Sequence, residues 1–109
     1  MKGVPNFERE YSEKVDELRK NRCAMSFYKY GSAAENFGKH YVDALGSHEK
    51  CINKYMETKN KEYLLDAMNY LMFEFMYPSL DAYYRETGSE ESAGIVGLSV
   101  KEAEAYGNG

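Results

Sequence analysis

The stretch from Lys61 to Tyr77, closed by Pro78, constrains the fold more than any other part of the chain. Only Lys61, Glu62, Asp66, Asn69 and Glu74 within it are strongly polar, so as a helix it is apolar around most of its circumference. Such a rod belongs inside a domain. Four charges and an asparagine make it a poor bilayer span, which requires about twenty mainly apolar residues. The spacing predicts a central helix capped by Asn60 and ended by Pro78, which donates no amide and disfavours helical geometry in the residue before it. The polar exceptions are ordered. Glu62, Asp66 and Asn69 stand at i, i+4 and i+7, which puts them on one stripe of the rod.

The remaining helices organise around this one. Phe7, Tyr11, Val15 and Leu18 recur every three or four residues among charges, predicting an amphipathic helix from about Phe7 to Met25 with Asn6 as N-cap. Glu10 and Glu13 form an ExxE pair there, read as part of a solvated, mixed-charge face. Phe27 to Gly31 reads as an aromatic connector. Ser32 and Glu35 make a capping box that opens a second helix. It runs to Thr58 with Phe37, Tyr41, Leu45, His48, Ile52 and Tyr55 on its buried side, unless it breaks near Gly38. After Pro78, Ser79 to Glu86 is expected as a short helix, residues 87–98 as a loop, and Ser99 to about Tyr106 as a last short helix opened by a second capping box. Residues 107–109 are expected to fray. The expectation is a single all-α domain over residues 1–109, a compact bundle of three main helices plus one or two short C-terminal helices.

Charge and cysteine usage narrow the functional classes. A net charge of −4 disfavours phosphate-dependent binding to nucleic acid. Two cysteines without a CxxC pair fit reduced thiols, and the N-terminus resembles no signal peptide or membrane anchor, so a cytoplasmic protein is expected. Eleven Tyr and six Met are unusually many for 109 residues. Both types suit adaptable contact surfaces, which favours a homo-oligomer or a ligand-binding face.

Adding 100° per residue carries the stripe of the central helix on into Phe73, with Tyr70 and Tyr77 beside it. Acid and amide followed by aromatic rings is a sensible lining for a nucleotide-like ligand: rings stack on a base, while Asn and Asp read an edge or a ribose hydroxyl. Interhelical hydrogen bonds that fix register account for Asp66 and Asn69 equally well. The candidate ligand-binding set adds His40, where Asp43 lies one turn away, Tyr28 of the connector and the cation Arg85. Ser92 and Gly94 join it from a small-residue loop whose amides precede a helix N-terminus. His48 reads as a hydrogen-bonded core residue.

Tyr30-Gly31, Glu35-Asn36, Cys51 to Tyr55, Tyr63 to Tyr70, Glu74 to Pro78 and Glu91 to Gly97 resemble segments of small proteins of phages and prophages in Gram-positive bacteria, over about residues 28 to 104. More distantly, Asp66, Asn69 and Tyr70 form a D-x-x-N-Y element similar to one in MazG-like all-α nucleotide pyrophosphohydrolases and nucleotide-modification-associated proteins. Those enzymes hold Mg²⁺ with an ExxE pair followed by ExxD. Here Glu62 and Asp66 are four apart rather than three, the ExxE lies on the first helix, and Asn69 stands where a further acid is wanted. The phage resemblance, the tyrosine excess, the polar-aromatic stripe and the incomplete carboxylate set together lead to the expectation of a non-catalytic, phage-type counter-defence protein that sequesters a nucleotide-derived immune signal and needs no cofactor. The alternatives are a MazG-like Mg²⁺-dependent triphosphate pyrophosphohydrolase, in which Glu10, Glu13 or Glu49 completes the metal site, and a protein that inhibits a host defence enzyme by binding it.

Overall fold

The computed structural model describes residues 7–88 and 93–107, and in these residues all regular structure is helical. The elements are α1 (Phe7–Glu10), α2 (Glu13–Tyr30), α3 (Ala33–Gly38), α4 (Ala44–Thr58), α5 (Glu62–Met76) and α6 (Val100–Gly107). The expected first helix is divided. Ser12 Oγ accepts the Val15 amide at 3.1 Å and starts a new helix after the single turn of α1, because a serine bonded to its own downstream backbone makes a better cap than a helix interior. Asn6, the expected cap, lies outside the described residues.

α2 then runs past Met25, taking in Phe27 to Tyr30, so the aromatic connector is the last turn of a helix. Gly31, at φ 91° and ψ −173°, ends it in a region open essentially to glycine alone, and its N–H closes on the Phe27 carbonyl at 3.0 Å. The Ser32 capping box is present, with the Glu35 amide donating to Ser32 Oγ at 3.2 Å. The expected long second helix breaks after Gly38, and α3 is a single short helix. A turn follows, with His40 left-handed at φ 58°, and Asp43 caps α4 by accepting the Gly46 amide at 3.0 Å. The break leaves Tyr41 exposed rather than buried and Leu45 partly so, while Phe37 becomes one of the most enclosed residues of the chain.

α4 ends at Lys59, also left-handed, and Asn60 Oδ1 accepts the Glu62 amide at 3.0 Å, so the three-residue link folds α4 back along α5 as a helical hairpin. α5 is central: α4 and α2 pack against it, and α3 touches it as well. Phe37, Ala44, Ala67 and Asn69 are buried.

Beyond Pro78 the expectation of a further helix fails. Residues 79–86 form no regular structure, since an eight-residue segment needs packing to hold a helix and little of the bundle lies against it. The Ser79 amide donates instead to the Glu74 carboxylate at 2.7 Å. α6 forms as expected on the Ser99 cap, with the Glu102 amide donating to Ser99 Oγ at 3.1 Å. From Pro78 to Gly107 every described residue except Ser99 is exposed. The chain accordingly has a radius of gyration of 17.6 Å, against about 13 Å for a fully compacted chain of this length. The packed part is the bundle of α2, α4 and α5, and the segment after Pro78 is an arm outside it. Among the described residues no helix is long and apolar enough to cross a membrane.

Candidate functional site

The polar stripe of α5 meets α2. Arg22 donates through Nε and Nη2 to the two oxygens of Asp66, at 3.0 and 2.9 Å, and its Nη1 stands 2.9 Å from Glu62 Oε1 as an ion pair. Nε and Nη2 are thereby engaged by Asp66, and Nη1 is ion-paired with Glu62. These carboxylates hold the guanidinium above its ordinary pKa, the hydrogen bond to Asp66 contributing most. One turn earlier, Asn69 Nδ2 donates to the Arg19 carbonyl at 3.0 Å, and Arg19 reaches Asn69 Oδ1, Met72 Sδ and Asp16. Glu62, Asp66 and Asn69 thus form the seam that locks α2 on α5.

Beside that seam is a cleft of about 590 Å³, a volume within the usual range for small-molecule sites. α5 provides its floor with Asp66, Asn69, Tyr70 and Phe73. α2 provides one wall with Arg22, Cys23, Ser26, Phe27 and Tyr30, and the other comes from Gly31, Ala33, Asn36, Phe37 and Val42. Phe37 stacks on Phe73, with ring centroids 4.6 Å apart and planes at 20°, and meets Tyr70 edge-on at 6.1 Å. The Asn36 side chain donates to the Tyr30 carbonyl at 3.0 Å, tying α3 to the end of α2. Lys29 lies 5.1 Å from the Tyr30 ring centroid, a cation–π contact at the rim. Burial raises the Cys23 thiol and the Tyr70 hydroxyl above their ordinary pKa values. On the other side of Tyr70 a smaller hollow of about 230 Å³ is lined by Ser47, Lys50, Cys51, Lys54 and Tyr63.

Of the expected ligand residues the fold therefore brings Asp66, Asn69, Tyr70 and Phe73 together in the cleft, with Glu62 at its edge through Arg22. Tyr77 is spent on packing: a Cβ placed on Gly38 stands 3.7 Å from its Cδ1. Tyr28 is highly exposed, edge-on to Phe27 at 5.6 Å, and does not line the cleft. His40 is exposed in the α3–α4 turn, and the Asp43 carboxylate expected to orient it caps α4 instead. Arg85 and Gly94 belong to the arm and do not line the cleft, and Ser92 lies outside the described residues.

The α2 half of the site escaped sequence reasoning. Its signal was available: Asp16, Arg19, Cys23, Ser26 and Tyr30 stand at i, i+3, i+7, i+10 and i+14, a polar stripe complementary to that of α5. The chain matches no protein-family model, no curated protein and no solved structure. Among the described residues no three His, Cys, Asp or Glu side chains are grouped so that they could hold a metal ion.

Proposed function

We propose that the chain is a non-catalytic binding protein whose cleft between α2, α3 and α5 takes a nucleotide-like small molecule. In the phage setting that the sequence resemblance suggests, it would sequester a nucleotide-derived immune signal. The observation that carries this reading is the lining. Phe27, Tyr30 and Phe73 offer ring surface for a base, Ser26 offers a hydroxyl, and the Arg22 guanidinium lines the same cleft as the cation for a phosphate oxygen. Hydrolysis of a triphosphate asks for carboxylates turned toward Mg²⁺ and phosphate. Glu62 and Asp66 are turned toward Arg22, which supports binding over the pyrophosphohydrolase alternative.

Calorimetry with a panel of cyclic dinucleotides and ADP-ribose-derived signals tests the proposal. Saturable binding to one of them is expected, weakened ~10-fold or more by Tyr30→Ala, since loss of one stacked ring is worth about 1–3 kcal/mol. No heat from any ligand, together with no nucleotide released by heating protein purified from its host, would overturn it.

A further inference from the structure

Among the described residues, an apolar face of α5 and the apolar side chains of the arm stand exposed, and neither belongs to the cleft. On α5, Leu64, Met68, Leu71 and Phe75 stand at i, i+4, i+7 and i+11, an uncharged stripe on the side turned away from Asp66 and Asn69. Met68, Leu71 and Phe75 are exposed, Phe75 at 72%. The arm beyond Pro78 carries Leu80, Tyr83, Ile95, Val96 and Leu98, all exposed. One contact already joins the two surfaces, the Tyr84 ring meeting Phe75 edge-on at 6.0 Å.

The exposed area is enough for a second copy of the chain. The chain exposes 9569 Å², whereas a folded monomer of 12.5 kDa exposes about 6,200 Å². The excess, about 3,400 Å², is more than the roughly 1,000–2,500 Å² that each subunit buries in an obligate homodimer. One chain carries both an apolar helix face and an apolar arm, so two copies can satisfy each other reciprocally about a twofold axis, as closed homo-oligomers do. We infer that the chain is a homodimer in which the arm of each copy covers the Leu64–Phe75 stripe of the other. The inference does not rest on the ligand cleft, which no arm residue lines.

Sedimentation velocity on the full chain across a range of micromolar concentrations reads the state directly. The expected species has twice the 12.5 kDa chain mass. Leu71→Glu in the stripe and Val96→Glu in the arm should each raise the dimer dissociation constant ~100-fold or more, because each places a charge in an apolar seam. Both side chains are exposed in the single copy, so helicity by circular dichroism should persist in the monomeric variants. If Leu71→Glu does not fold, Val96→Glu decides the matter, together with a wild-type Tm that rises with protein concentration. A wild-type chain that is monomeric throughout with a concentration-independent Tm, or a dimer unmoved by either substitution, would overturn the inference.

Discussion

Arg22 donates to both oxygens of Asp66 and is ion-paired with Glu62, and the three groups differ in how far solvent reaches them, so the parts of the seam are of unequal weight. The Asp66 side chain is 23% exposed and Glu62 54%. Arg22→Ala should therefore destabilise by ~1–3 kcal/mol in urea unfolding, mainly because the partly enclosed Asp66 carboxylate loses its partner. Glu62→Gln, at an exposed pair, should cost less than about 1 kcal/mol. The stripe on α5 was legible because it interrupts an apolar helix. Its partners were not, since Arg22 and Arg19 lie 44 and 50 residues away from Asp66 and Asn69, and the polar stripe of α2 does not by itself say which helix it meets. The thiols give a pH prediction. Burial raises Cys23 and Cys51 above the ordinary value of 9.0, so the folded state resists forming thiolate more than the unfolded chain does. Their contribution is complete below pH 9 and is lost as pH rises through the folded values, so the urea midpoint should fall above pH 9. Replacing both by Ser should flatten that decline.

At the level of elements, caps and breaks decide the course of the chain more than propensity does. Ser32 and Ser99 were legible as caps because their bonds run to amides three residues on, and such signals survive in one dimension. The N-cap of α5, in contrast, is Lys61, one residue after the expected Asn60, whose side chain accepts the Glu62 amide from the link. Ser12 and Asp43 cap equally well, yet each stands within an apolar period that continues on both sides, so the pattern read through them. The short helix expected at 79–86 had a plausible composition but no surface to pack on. Gly31→Ala should cost ~1–3 kcal/mol, since alanine is strained at φ 91° and the turn there sets α3 against α2. Weaker ligand binding should accompany the loss, because Gly31, Ala33 and Phe37 form one wall of the cleft. Gly46→Ala is a closer contest. Helix propensity favours alanine by about 1 kcal/mol, but its Cβ would stand 2.4 Å from Asp43 Oδ2, displacing a cap of similar worth. Near-neutral stability is expected, and Asp43→Ala/Gly46→Ala should be more stable than Asp43→Ala by about 1 kcal/mol in the same urea assay.

Across the whole molecule, hydrophobic content was a sound guide to folding but not to where the apolar surface would be buried. An extended chain of this mass exposes about 18,000 Å², so the folded copy removes only about half of it, below the ~60% typical of a domain half its length. Among the described residues, seven of the eleven Tyr and four of the six Met are exposed in the single copy, so this excess lies at the surface rather than in the core. Limited trypsin digestion separates the two uses of the chain. Arg85 and Lys101 lie on the arm, exposed in a single copy. If the partner's stripe covers the arm, the wild type should resist cleavage at these sites at high concentration, and the monomeric Leu71→Glu variant should be cut there at least ~10-fold faster, cleavage following the population of uncovered arm. Clipping after Arg85 leaves α2 to α5 in one piece, and the cleft has no lining residue beyond Phe73. The trimmed variant should then bind the same nucleotide within about a factor of three of the intact variant by calorimetry. Loss of binding on clipping would instead make the arm part of the ligand site, and equal cleavage rates in wild type and variant would leave the arm without its proposed cover.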